Sequence, residues 1–222
     1  MKRLIFPVLM GIFGVVVLLG LGVWQLQRLA WKEANLAAIS ARISDAPMQV
    51  PDNPDPVADK YLAVLATGAL TGQELHILTS HEVGPVYRII GVVETAGRRI
   101  MVDEGYVGLD AKDTPRAAAG VTVTGHLHWP DETDGWTPKP DADMWFSRDV
   151  PAMAAALGTE PVLIIASGMS PPTPGVTPMP IDTSDIPNDH LGYAITWFSL
   201  AFVWAIMSGF FIFRTGRRPA KD

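Results

Sequence analysis

Hydrophobic positions fall into three textures along this chain. Leu4 to Trp24 is a run of 21 residues without a charge, and Tyr193 to Phe213 is another run of 21. At about 1.5 Å of rise per helical residue, each reaches ~30 Å, the thickness of a bilayer's hydrocarbon core. Both are predicted as transmembrane helices. The first follows Met1-Lys2-Arg3, as a secretory signal does. It is, however, longer than the ~7–15 residues of a signal's apolar core, and no small-x-small cleavage site ends it. It also runs straight into Gln25–Lys32, which continues the helical spacing, so a retained anchor is expected.

Between the spans the texture changes. Gln25 to about Ser44 reads as a helix, with Leu26, Leu29, Leu36, Ile39 and Ile43 near helical spacing. Pro47, Pro51, Pro54 and Pro56 then break it into an acidic, extended stretch. Short runs rich in β-branched residues follow: Tyr61–Leu70, Glu74–Ser80, Val86–Thr95, Arg98–Val107 and Val121–Trp129. Turns are predicted at Thr71-Gly72 and Ala96-Gly97. Asp149–Leu157 reads as a short helix with Pro151 in its first turn and Gly158 at its end. Pro161–Ser167 is predicted as a last strand, and the Pro-rich stretch Met169–Pro187 as a linker back to the membrane. The pattern predicts a membrane protein with two transmembrane helices flanking an α+β, mainly antiparallel-β domain. The expected boundaries are 1–24 for the first tip and span, 25–189 for the domain, 190–213 for the second span and 214–222 for a basic tail.

Charge supplies the orientation. Of 17 Lys and Arg against 23 Asp and Glu, Lys2, Arg3, Arg214, Arg217, Arg218 and Lys221 lie at the two ends. Residues 25–190 keep 11 basic and 22 acidic side chains. No Lys or Arg occurs from Asp149 to Phe213, whereas four follow the second span. Both termini are therefore expected in the cytoplasm and the middle outside it. No Arg- and Ser-rich transit stretch precedes the first span, so the expected location is a bacterial inner membrane with a periplasmic domain. An acidic middle gives no reason to bind nucleic acid. The chain has no cysteine, which excludes disulfides, Cys-ligated zinc, iron–sulfur clusters and covalently attached c-type haem.

The middle of the chain nominates no reaction. His126 and His128 stand two apart on one predicted strand and share a face, so they are candidates to pinch a metal. The simpler reading is a pair of histidines on a solvated face, since no spacing pins a third ligand among His76, His81 or a carboxylate. Asp103-Glu104 are adjacent on a strand and point to opposite faces, which reads as surface charge rather than an acid–base pair. Trp136 and Trp145 flank a Pro- and Asp-rich loop and are expected to pack it. No nucleophile elbow, phosphate loop or helical His-Glu-x-x-His occurs, and no catalysis is expected.

His190 stands apart. At about 100° per residue it shares a helical stripe with Ala194, Trp197, Ala201, Ala205 and Ser208. Ala201-x-x-x-Ala205-x-x-x-Gly209 is a small-xxx-small run that lets membrane helices approach closely, with Gly11, Gly14, Gly20 and Gly22 as partners on the first span. His190 is thus predicted to face the other helix. Two readings stand side by side: a belt residue capping the helix with Asn188, or a neutral imidazole at the membrane boundary able to ligate iron.

Two end segments carry a family resemblance. Gly22-Val23-Trp24-Gln25-Leu26-Gln27-Arg28-Leu29-Ala30-Trp31-Lys32 resembles the G-x-W-Q-x-x-R-x-x-W-K signature of the Surf/Shy (surfeit locus) family of cytochrome c oxidase assembly factors. Asn188-Asp189-His190-Leu191-Gly192-Tyr193-Ala194-Ile195-Thr196-Trp197-Phe198 is similar to that family's N-x-H-L-x-Y-A-x-T-W-F. Val121–Pro130 and Trp145–Asp149 resemble its middle segments, with departures at Glu104–Val107 and at His128. The resemblance implies transient, non-covalent binding of haem a with His190 on the iron. It further implies haem a synthase as donor, and insertion of haem into cytochrome c oxidase subunit I as the purpose. Membrane lipid is the surrounding medium. Under this reading Arg28 pairs a propionate, while Trp24, Tyr193 and Trp197 wall the ring or simply anchor the interface. A cofactor-free scaffold holding oxidase assembly partners is the alternative.

Overall fold

The computed structural model describes residues 2–116, 120–183 and 186–217. Of the predicted basic tail, Arg218, Lys221 and the rest of 218–222 lie outside the described residues. The elements, in order, are α1 (Lys2–Ile43), β1 (Met48–Gln49), β2 (Ala63–His81), β3 (Gly84–Thr95), β4 (Arg98–Gly108), β5 (Gly120–Leu127), β6 (Met144–Trp145), α2 (Val150–Leu157), β7 (Leu163–Ser170) and α3 (His190–Gly216). They form two compact units. One holds residues 1–38 and 183–222; the other holds 39–182.

In the second unit, β2, β3, β4, β7 and β5 are each hydrogen-bonded to the next, and β5 returns to β2, closing a ring. The sheet is mainly antiparallel, as predicted, but short parallel pairs make it mixed rather than purely antiparallel. β2–β3, β3–β4, β2–β5 and β5–β7 are antiparallel, whereas β4–β7, β1–β2 and β2–β6 are parallel. The parallel pair β4–β7 arises because α2 precedes β7 and delivers it in the same direction as β4, a return no short hairpin can make.

The two strands expected at Tyr61–Leu70 and Glu74–Ser80 are one long strand. Thr71-Gly72 is a bulge within β2, marked by a register shift between Leu70 and Glu74 and by Gly72 at φ 79°. The bulge lets one strand serve two neighbours: Ala63–Ala69 pairs with β5 and the remainder pairs with β3. By contrast, Ala96-Gly97 is a true two-residue hairpin turn with both residues at positive φ, 48° and 78°.

Burial follows from closure. Val64, Val93, Ile100, Val123 and Ile164, one from each ring strand, meet in a core at 0% exposure. The neighbouring residues on the same strands, Ile90, Met101 and Leu163 among them, face outward and are equally buried because α2 covers them with Met153 and Leu157. The Ile100–Val102 stretch of β4 is therefore apolar on both faces, and alternation fades where a sheet is covered twice. α2 forms as predicted: the Asp149 carboxylate accepts from Ala152 N at 3.1 Å, and Gly158 ends the helix in the left-handed conformation.

The Pro-rich stretch after Met169 is not a plain linker. Met169 and Ser170 belong to β7, and Tyr106 and Thr177 exchange backbone hydrogen bonds of 2.8 and 2.9 Å. Arg88 Nη1 reaches Met179 Sδ at 3.0 Å, and Ile181 packs on the core under α2. The segment is a strap laid over the sheet. Its anchors lie far away in sequence, so local composition concealed it.

Candidate functional site

In the first unit, α1 and α3 contain the two stretches long and apolar enough to cross a membrane. They meet along small residues. Ala194 is 1% exposed and Ala201 3%, and Gly11 and Gly22 on α1 are buried. A Cβ on Gly22 would stand 2.6 Å from the Phe198 ring, and one on Gly11 would stand 3.1 Å from Ser208 Cβ. Gly14 takes the Trp204 indole against its backbone, and Trp204 Nε1–H donates to Gly11 O at 3.1 Å. The bare glycines allow this approach. Gly20, also expected at the contact, has nothing within 4 Å. Ala205 and Gly209 are exposed and line an apolar cleft of about 310 Å³ with Gly11, Val15 and Ser208.

At the start of α3, His190 is half-buried and turned toward α1, as its stripe predicts. Its Nδ1 lies 2.8 Å from Gln25 Oε1, and Gln25 is buried. Among the described residues Nε2 makes no hydrogen bond. Asn188, read from sequence as a cap, does not act as one: its Oδ1 is buried and has no partner among the described residues, and Asp189 occupies the cap position without a side-chain bond. Trp24 and Tyr193 are exposed, and Trp197 is half-buried. Arg28 is exposed, with its guanidinium carbon 4.0 Å from the centroid of Trp31. At about 100° per residue, Trp24 and Arg28 occupy a flank of α1 beside the row of Gln25. Gln25 was quoted within its motif but assigned no role. The available signal was its place on the same helical face as Gly11, Leu18 and Gly22.

The other histidines are engaged in the sheet unit. His126 Nε2–H donates to Ile43 O at 2.9 Å. His128 stacks on Tyr61 with centroids 5.3 Å apart, and burial, reinforced by Lys60 and Arg148, holds its imidazole down at about 4. His76 lies between Asp143 Oδ2 at 2.7 Å and Glu74 Oε1 at 3.1 Å, and His81 stacks on Tyr106. Among the described residues no three His, Cys, Asp or Glu side chains converge as a metal site.

Asp103 and Glu104 correct a second expectation. They do point to opposite faces, but both faces are covered, so neither is surface charge: Asp103 is 1% exposed and Glu104 5%. Asp103 Oδ2 accepts from Arg88 Nε at 2.8 Å and lies 3.5 Å from Arg148 Nη1. Glu104 occupies the space left by the missing side chain of Gly91 and accepts from the Thr173 hydroxyl, while burial pushes its carboxyl up. Trp145 is buried as expected, but Trp136 is 92% exposed and packs nothing.

Two apolar helices packed through glycines, and a separate unit built on a closed mixed sheet, define a protein with two candidate membrane-spanning helices flanking a folded domain. Comparison with known proteins places it further. The SURF1 family model matches residues 12–202. A SURF1-like protein of Monosiga brevicollis is 29% identical over 91% of this chain and 86% of its own length. Surfeit locus protein 1 of Rattus norvegicus is 26% identical over 83% of this chain and 70% of its own. The Homo sapiens protein of that name is 26% identical over 82% and 69%. The chain belongs to the SURF1 family.

Proposed function

We propose that the protein is a cytochrome c oxidase assembly factor of a bacterial inner membrane that binds haem a through His190. It takes haem a from its synthase and assists insertion into oxidase subunit I, without catalysing a reaction. The observation that carries this reading is the His190 ring. Its Nδ1 is tied to an amide oxygen 2.8 Å away while Nε2 has no hydrogen-bond partner among the described residues. Iron-ligating histidines commonly donate their other ring nitrogen to an oxygen in this way, so the donor set fits the group. Haem a, if bound, would supply an iron that His190 Nε2 could ligate. Exposed Trp24 and Tyr193 and half-buried Trp197 offer apolar walls, and Arg28 offers a cation for a propionate. Both ends of the chain face the cytoplasm and the sheet unit faces the periplasm in this reading.

The test is the absorption spectrum of the detergent-purified protein after co-expression with the haem a synthesis enzymes. A Soret and an α band are expected, with both lost in His190→Ala while the protein stays inserted and folded. Arg28→Ala should retain more haem than His190→Ala, since a hydrated ion pair contributes less than ligation. Full haem content in His190→Ala would sink the ligand assignment.

One observation favours the scaffold reading. Trp136 presents 92% of its surface on a loop, and exposed tryptophan is a common anchor of protein interfaces. If purified protein never carries haem, and Trp136→Ala releases oxidase subunits that otherwise co-purify, that reading prevails.

A further inference from the structure

Gln25 is a buried amide in the seam between two apolar helices, where an unpaired polar group is costly. Its Oε1 is 2.8 Å from His190 Nδ1. An amide oxygen is only an acceptor, and a neutral imidazole has one N–H and one lone pair. Two acceptors do not sit at that distance, so Nδ1 carries the hydrogen and Nε2 the lone pair. We infer that Gln25 is a positioning residue that fixes the tautomer and the ring direction of His190, presenting Nε2 as the ligand. This deepens, and rests on, the haem reading given above.

The surroundings support a built contact rather than a chance one. Gly22 lies one turn below Gln25, and its bare backbone admits the Phe198 ring from α3. Ala194, one turn along α3 from His190, is likewise buried against α1. Helix packing therefore holds both partners before any ligand arrives. Ligating histidines generally donate their second nitrogen to such an oxygen, and loss of that outer partner lowers metal affinity by about 10–100-fold. The seam's low dielectric strengthens the bond further.

A merely adhesive role, joining two helices by one polar pair, makes a different prediction. It needs the contact but not a particular tautomer. The full-length protein, labelled with ¹⁵N-histidine and free of haem, separates the two by nitrogen NMR. The His190 ring of the wild type should show a protonated Nδ1 and an unprotonated Nε2, and Gln25→Leu should show a mixture of tautomers. In the ferrous haem a-loaded protein, the iron–histidine stretch in resonance Raman should rise in Gln25→Glu, because a carboxylate pulls harder on the Nδ1 hydrogen. It should fall in Gln25→Leu, whose retained haem drops by about tenfold.

An Nε2-protonated ring in the wild type overturns the inference whatever haem does. So does a Gln25→Leu protein with unchanged tautomer and unchanged Raman band. If Gln25→Leu does not assemble, Gln25→Glu decides alone, and a stretch that stays still or falls overturns the proposal. Haem retained with an unchanged spectrum in His190→Ala overturns the haem reading instead. The NMR result then still reports whether Gln25 sets the ring.

Discussion

The sheet unit and the helix pair use polar side chains in opposite ways. In the sheet unit charges are numerous and consumed by one another. Arg88 holds Asp103, Arg98 holds Glu160 at 2.7 Å, Arg148 holds Glu132, and His76 sits between two carboxylates. Each group is satisfied, so each does structural work. In the helix pair the described side-chain contacts are few, and among the described residues the His190–Gln25 contact leaves a ring nitrogen without a hydrogen bond. Density of polar groups is thus a poor guide to chemistry in this molecule. A polar pair in an apolar seam is more informative than a saturated ion pair, because among the described residues its one contact leaves His190 Nε2 without a hydrogen bond.

The contrast breaks first at Asp103. Asp103→Ala leaves the buried Arg88 facing Arg148 without their shared carboxylate, and an uncompensated buried charge costs about 3–5 kcal/mol. His190→Ala removes no buried charge partner and should leave the sheet unit's unfolding unmoved. Chemical denaturation of the full-length protein in detergent, followed by tryptophan fluorescence, reads both. Equal losses in the two variants would mean that the units do not divide labour in this way.

A pH series sharpens the comparison next. His128 is held neutral to about 4 by burial and neighbouring cations, whereas the unfolded chain takes up that proton near 6.5. The unfolded state therefore binds more protons between those values, and stability falls as pH drops from 6.5 toward 4, by at most about 3 kcal/mol. Glu104 has the opposite sign: burial raises its carboxyl, so stability attributable to it is lost as pH rises above the ordinary 4.5. The His128 contribution is accordingly the difference between wild type and His128→Phe across that window. A difference curve that is flat from 6.5 to 4 would show that His128 is protonated in the fold.

These effects bear on how much was legible beforehand. Both spans, the Ala96-Gly97 hairpin, α2 with its Asp149 and Gly158 ends, and the inward turn of His190 were readable, because each depends on neighbours within a few residues. What was missed depends on distant partners. Thr71-Gly72 reads as a turn unless β5 is known to pair with the first half of β2. Asp103-Glu104 reads as surface until α2 and the strap cover both faces of β4. The strap itself is Pro-rich and aperiodic, and only Tyr106 and Arg88 reveal what it binds. Gln25 lay in view but had no meaning without His190 opposite. In the helix pair, the inward turn of His190 was legible and its partner Gln25 was not.

The finest test of the comparison lies between two glycines of α1. The helix pair depends on close approach, so a single methyl should be felt wherever the helices touch and ignored elsewhere. Gly22→Ala puts a Cβ 2.6 Å from the Phe198 ring, which must shift or push the helices apart, at an overpacking cost of about 1–3 kcal/mol. Gly20→Ala meets nothing within 4 Å and should change stability by no more than about 0.5 kcal/mol. The natural chain has no cysteine, so a pair introduced at Gly11 and Ser208, where a Cβ would stand 3.1 Å from its counterpart, reports helix proximity without background. In that background Gly22→Ala should slow disulfide formation and lower haem retention, and Gly20→Ala should do neither. Both effects come from one seam: spreading the helices at Gly22 also draws Gln25 away from His190, one turn along. Crosslinking that slows equally in both variants would place the helix contact elsewhere, and the His190–Gln25 geometry with it.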